Sequence, residues 1–336
     1  MPSHGVLSFL PSPSVNGFHI GPLFIHMYGL MYVVGIALAI VIIRRRWRAA
    51  GGDPEMVSEV ALWSVPAGII GGRIYFDITT PADIPPHWWG PLAVWSGGLG
   101  IWGGVAAGAL VGWWRVRRSG ASPGLFASAT APALLVAQAV GRIGNYFNQE
   151  LFGKPSTLPW ALEISPAHRP AGYLSVATFQ PSFLYELIFD LLLAAALVWL
   201  GHHRDIKPWG LFALYVTGYS AYRIFEETIR IDSSEHFLGL RLNFYVALVM
   251  TLAGIGWFIW IQRHPWPVQT ASRRAVPVAA EAAAGPELAA TGDTGSRTEL
   301  APETEPASGS ELAAEPERVP GQAAEQPVGQ PGEATV

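Results

Sequence analysis

The chain of 336 residues contains no cysteine and little charge, with only 14% of its side chains Asp, Glu, Lys or Arg where a soluble domain has about a quarter. Without cysteine there is no disulfide framework, no Cys-based zinc site and no thiol nucleophile of the protein's own; the redox compartment stays open. Scarce charge beside 50% hydrophobic residues, 14 Trp and 37 Gly is a membrane composition rather than a soluble one.

The net charge of −4 hides two unlike parts. Residues 281–336 hold eleven acidic side chains and two Arg, a balance of −9, whereas residues 1–280 hold nineteen basic and fourteen acidic, a balance of +5. From Pro265 onward the composition is Ala, Glu, Pro, Gly, Ser and Thr, with no aromatic after Trp266. Such a segment buries too little apolar surface to offset its ordering entropy, so residues 265–336 are expected to form a disordered acidic tail, a solvated spacer without chemistry. Residues 1–264 are expected to form the functional domain.

Seven apolar stretches lie near 24–43, 59–78, 94–114, 125–147, 181–200, 209–229 and 242–262, each long enough to cross about 30 Å of hydrocarbon. The first is expected to remain as a span and not to be cleaved as a signal peptide. No Lys or Arg precedes it, and no small-residue cleavage site follows before Arg44. With the N-terminus outside, the inner connections and the start of the tail hold twelve Lys and Arg, and the outer connections hold four. The positive-inside rule therefore predicts an all-α, polytopic protein with seven transmembrane helices, N-terminus outside and tail in the cytoplasm. Gly100, Gly104, Gly108 and Gly112 in the third stretch, with Gly68 and Gly72 in the second, have the spacing that lets membrane helices approach closely.

A charge inside a span costs on the order of 3 kcal/mol, so each needs a partner, a wet cavity or a role. Arg73, Arg142 and Arg223 come from three different spans, yet all lie roughly 8–10 Å below the outer surface at 1.5 Å per residue. A guanidinium cluster at headgroup depth suits a phospholipid phosphate, which Arg binds in bidentate fashion; the alternative is helix-end snorkelling. Tyr219, Glu227 and Arg230 share the helical face of Arg223. His26 and Tyr28 lie at the same level on the first span and could equally be interfacial belt residues. The densest polar run is Gly141 to Gly153, GRIGNYFNQELFG, in which Arg142, Asn145, Asn148 and Glu150 stand among glycines that permit tight turns.

These residues resemble the prolipoprotein diacylglyceryl transferases, seven-span bacterial membrane enzymes. GRIGNYFNQELFG is similar to the family signature, and HMYGLMY at 26–32, GGRI at 71–74, PSFLYE at 181–186 and YRIFEETIR at 222–230 follow in the family's order. The resemblance covers residues 18–262 and implies transfer of the diacylglyceryl group of phosphatidylglycerol to the lipobox cysteine thiol of a preprolipoprotein, leaving a thioether and releasing glycerol phosphate. It implies an enzyme of the bacterial cell membrane with its site facing outward, whose partners are phosphatidylglycerol, the preprolipoprotein signal peptide and membrane lipids. No cofactor, metal or nucleic acid is called for.

By the same resemblance Arg142 and Arg223 are the phosphatidylglycerol-binding arginines, and Tyr28, Asn145, Glu150, Gly153, Tyr219 and Glu227 match other required positions. Arg73, Asn148, His26 and Arg230 complete the expected binding set. Three positions depart from many relatives: Trp102 stands where a histidine base is proposed, Ser128 where an Asp precedes an Ala-Pro pair, and Gln180 where His opens the PSFLYE stretch. The base is then sought in Glu227, or in Tyr28 or His26, with Glu227 either taking the thiol proton or orienting Arg223. A reading of another class is a transporter or lipid-binding scaffold for an anionic phospholipid, against which stand the absence of a visible repeat and a polar cluster far from the midplane.

Overall fold

A computed structural model describes residues 9–266 apart from Ser233 and Glu235. The chain opens with an antiparallel hairpin, β1 (Gly17–Ile20) and β2 (Leu23–His26), then runs through α1 (Met27–Ala49), α2 (Pro54–Thr79), α3 (Ile101–Arg118) and α4 (Pro123–Asn148). A non-helical section carries the short antiparallel strands β3 (Leu162–Glu163) and β4 (Thr178–Phe179). After α5 (Ser182–His203) and α6 (Gly210–Ile229), the hairpin β5 (His236–Phe237) and β6 (Leu240–Arg241) leads into α7 (Leu242–Arg263). The expected tail, beyond Trp266, lies outside the described residues.

Helix starts follow local capping chemistry. The Asp53 carboxylate accepts the Glu55 N–H at 2.9 Å with Pro54 in the first turn, and the Ser122 hydroxyl accepts the Leu125 N–H at 3.3 Å with Pro123 following. The first and third apolar stretches begin their helices later than the hydropathy suggests. Residues 17–26 pair as a hairpin, and Gly97 and Gly98 hold φ of +85° and +77°, a left-handed turn that delays α3 until Ile101.

The helices α1, α4, α5 and α7 are long and apolar enough to cross a bilayer. Of the other three, α2 carries Arg73 and Asp77, α3 ends in three arginines, and α6 carries Arg223, Glu226 and Glu227. Outward-facing Val33, Leu62, Ile70, Leu110, Leu192 and Val249 are 60–70% exposed, as expected where hydrocarbon rather than water surrounds the bundle. The chain is a predominantly helical, multi-pass membrane protein.

Packing joins α2 to α3, α1 to α4, α4 to α5 and α6 to α7. The α2–α3 contact is made by the glycine stripes together with the neighbouring Gly71 and Gly103. A Cβ on Gly103 would stand 2.3 Å from the Gly71 carbonyl oxygen, and one on Gly104 3.2 Å from that of Gly68. Trp47, Val57, Val116 and Ala133 form one buried cluster, and Leu135, Leu197 and Leu211 anchor a second between α4, α5 and α6. A third, around Phe152, Leu162, Ile164 and Phe179, gives the 149–181 section its own small core beside the end of α4.

Candidate active site

Antiparallel connections bring the C-terminal ends of α4 and α6 to the N-terminal ends of α1, α5 and α7, and the polar residues meet there. Glu186, in the first turns of α5, is completely buried. Its Oε1 accepts from Arg142 Nη2 of α4 and, at 3.0 Å, from the Tyr219 hydroxyl of α6, while Arg223 Nη1 lies 3.7 Å from its Oε2. One carboxylate therefore ties two guanidiniums from different helices into one unit.

Arg223 is held from below as well. Its Nη1 donates to Glu226 and its Nη2 to Glu227, three and four residues along the same helix. Glu227 in turn accepts from Arg241 Nε at 2.6 Å, and Arg230 Nη1 lies 4.0 Å away. Arg230 and Arg241 both bind Asp232, at 2.7 and 3.0 Å. Burial opposes ionisation of Asp232, but these two guanidiniums hold its carboxyl below the ordinary aspartate value.

The layers differ in exposure, and that decides what the site offers. The carboxylates of Glu186, Glu226 and Glu227 are 0–1% exposed, whereas Arg142 and Arg223 are each 18% exposed. Buried acids thus orient the arginines from behind and leave guanidinium N–H groups facing outward. Among the described residues, two of the five N–H groups of each of these arginines donate to protein acceptors. The remainder suit an anion, in a medium where each charged hydrogen bond is stronger than in water.

The signature run is folded tightly around this cluster. Arg142 Nη1 donates to Asn145 Oδ1 at 3.1 Å, and Asn145 Nδ2 and Asn148 Nδ2 donate to Glu150 Oε1 at 2.8 and 3.3 Å. Gln149 and Leu151 adopt φ of +51° and +56°, a conformation unfavourable for side-chain-bearing residues. Gly153 makes a close backbone junction: its N–H donates to the Gln180 carbonyl at 2.8 Å, and a Cβ there would stand 3.1 Å from the Ile229 oxygen. Tyr28 reaches the cluster across α4, because Gly144 leaves room for its ring; its hydroxyl is 3.1 Å from that of Tyr32.

Two expected members do not join. Arg73 is 4% exposed, but its guanidinium donates to the carbonyls of Gly90, Pro91, Gly97 and Gly98 at 2.7–3.2 Å and lies 3.1 Å from Asp77. It staples the 90–98 loop, so of the three arginines read at one depth only Arg142 and Arg223 meet; equal depth says nothing about azimuth around the bundle. His26 closes the β1–β2 hairpin opposite Gly17, its ring edge-on to Phe24 at 4.7 Å. Trp102 is 57% exposed at the start of α3, and Gln180 contributes backbone pairing to Gly153 and Lys154.

Sequence reading passed over Glu186, Glu226 and Arg241, which complete the cluster, and Asp190, fully buried one turn beyond Glu186. The two glutamates and Asp190 are charges within apolar stretches, so the expense of burying them was a signal already present. Arg241 was hidden because it counts as a loop charge until the β5–β6 hairpin turns it back onto Glu227.

The family described as prolipoprotein diacylglyceryl transferase matches residues 16–260. The chain belongs to that family. A Frankia alni protein named phosphatidylglycerol–prolipoprotein diacylglyceryl transferase is 42% identical to it over 299 residues, 87% of this chain and 78% of its own. A Cutibacterium acnes protein of the same name is 45% identical over 258 residues, 76% of this chain and 87% of its own. The family match thus takes in α1 to α6, most of α7 and the whole arginine–glutamate cluster, and ends at residue 260.

Proposed function

We propose that this diacylglyceryl transferase moves the diacylglyceryl group of phosphatidylglycerol to the lipobox cysteine thiol of a preprolipoprotein, forming a thioether and releasing glycerol phosphate. The observation that carries the reading is Glu186 bridging Arg142 and Arg223, with the acids buried and the guanidiniums turned outward. The thiolate displaces a phosphate monoester from a glyceryl carbon, and the charge growing on that leaving group is what two preorganised guanidiniums stabilise. Asn145, Asn148, Glu150, Gly153, Tyr219, Tyr28 and Arg230 line or brace this binding end.

Of the two roles open to Glu227, the geometry supports orientation of Arg223. Both its oxygens already accept from guanidiniums, Arg223 on one and Arg241 on the other, so its place is behind Arg223 rather than open to a thiol. The reading places seven spans in a bacterial cell membrane, with the N-terminus and the cluster on the outer side. It treats residues 1–264 as the membrane enzyme and 265–336 as an acidic cytoplasmic tail. The basic residues at the far ends of α1 and α3 support that orientation.

The test is turnover of phosphatidylglycerol by the purified full chain with a lipobox peptide, read as the mass gained by the peptide. Arg142→Gln and Arg223→Gln are each expected to lower kcat by about 10²-fold or more, the scale of losing one preorganised donor. Retention of near-normal turnover in either removes the phosphate clamp. Phosphatidylglycerol binding without any transfer by the unaltered protein returns the transporter or scaffold reading.

A further inference from the structure

The proposed transfer needs a group to take the thiol proton, and the carboxylates of the cluster differ sharply in their fitness for it. Glu186, Glu226 and Glu227 are buried and each accepts from at least one guanidinium. Asp232 is shared by two. Asp190 is fully buried, one turn deeper than Glu186. Glu150 is different. It is partly exposed, and among the described residues no cation pairs with it: Oε1 accepts only from the neutral amides of Asn145 and Asn148, and no donor reaches Oε2. Neutral amides aim a carboxylate while cancelling less of its charge than a guanidinium does.

Its backbone is fixed to match. Gln149 and Leu151, on either side, hold positive φ, and such strain persists only where surroundings enforce it. Here they do: the Gln149 side chain donates to the Pro13 carbonyl at 3.0 Å and accepts the Ser165 N–H at 2.8 Å, the Ser182 hydroxyl donates to the Leu151 carbonyl, and the Glu150 N–H donates to the Asn145 carbonyl at 3.2 Å. Asn145 thereby sets one spacing, with its carbonyl on Arg142 and its amide on Glu150. A phosphate on Arg142 and a thiol at Glu150 would lie on either side of that amide.

We propose that Glu150 is the general base of the transfer, a role that rests on the function proposed above. Its free oxygen takes the thiol proton. The sulfur electron pair forms the S–C bond to the glyceryl carbon, the C–O bond to phosphate breaks, and that electron pair leaves on glycerol phosphate. The proton then passes from Glu150 to the departing phosphate or to water, which restores the carboxylate. The titratable group of α1 facing Glu150 is Tyr28, whose hydroxyl meets that of Tyr32; Arg142 of α4 shares Asn145 with Glu150, with Glu186 of α5 and Arg223 of α6 behind Arg142.

The experiment is the pH dependence of kcat and of KM for phosphatidylglycerol, measured with the full chain in detergent and a lipobox peptide. Glu150→Gln keeps an acceptor for the two asparagines and is expected to leave KM within about threefold while lowering kcat at pH 7 by about 10²-fold, within the range of general-base catalysis. The residual rate should then climb tenfold per pH unit toward the thiol's own value of about 8.5, because only preformed thiolate reacts. Glu150→Asp, a shorter carboxylate, is expected to fall between the two with a pH profile like the unaltered protein, and serves if the Gln variant fails to fold. Overturning results are a Glu150→Gln kcat within threefold of normal, a loss equal at every pH, a change confined to KM, or full kcat in Glu150→Asp. Absence of turnover in the unaltered protein would instead sink the proposed function, so the two failures are distinguishable.

Discussion

Arginine at equal depth on neighbouring helices meets one of two ends, and Arg73 and Arg142 illustrate both. Each is mostly withdrawn from solvent, but Arg73 has its donors taken by four loop carbonyls and Arg142 has two of its own on a carboxylate and an amide. A guanidinium saturated by backbone is a structural clip; one held from behind by acid can still receive an anion. Arg73→Met should therefore lower the thermal midpoint clearly, since each carbonyl left without a donor costs about 1–3 kcal/mol, while the folded fraction keeps kcat within a few-fold. Unchanged stability with lost phosphatidylglycerol affinity would return Arg73 to the binding set. Arg142 and Arg223 behave oppositely, and glutamine is preferred to alanine there because removing a partner outright leaves Glu186 a buried, underpaired charge.

At the scale of elements, the glycine stripes decide how closely α2 and α3 approach. Gly103→Ala puts a methyl 2.3 Å from a backbone oxygen that cannot rotate away, whereas Gly256 of α7 has open space around the added carbon. Gly103→Ala is expected to destabilise by about 1–3 kcal/mol through overpacking, and Gly256→Ala to be neutral or slightly stabilising through helix propensity. Thermal unfolding of both variants in one detergent checks the contrast; equal midpoints would show that the stripes are not the contact. The loop between α6 and α7 adds charge to the packing of the two helices. Because Arg230 and Arg241 hold the Asp232 carboxyl low in the folded state, its contribution is complete above the unfolded value of about 3.9 and fades as pH falls through the lower folded value. Asp232→Asn should thus lower stability at pH 7 and flatten the acid side of the stability curve below about pH 4. An unaltered acid limb would assign that limb to other carboxylates.

For the whole molecule, the family match ends at residue 260 while the chain continues to 336. Truncation after Gln269 removes the acidic segment and leaves α1 to α7 entire; turnover within a few-fold of the full chain is expected, read by peptide mass gain in vesicles. An inserted but inactive truncation would give that segment a role in the reaction. The same scale explains why the cluster exists at all. Its members come from α4, α5, α6, the β5–β6 hairpin and the strained end of the signature run, so none forms a site until the bundle assembles.

Local chemistry was legible in the chain itself. Apolar runs of about twenty residues gave the seven helices, because hydrocarbon burial and a fixed rise per residue act on composition and length. The run from Gly141 to Gly153 announced its importance by placing polar side chains where they are expensive. Depth along each helix was also readable, and it put Arg73, Arg142 and Arg223 at one level. Rotation was not. Whether an intramembrane arginine turns toward a loop carbonyl, as Arg73 does, or toward a glutamate on another helix, as Arg142 does, depends on azimuth and on hairpins such as β5–β6 that return Arg241 to the bundle. Those are long-range relations, set by glycine-to-glycine approach and by pairing of buried charges, and only the tertiary structure decides them.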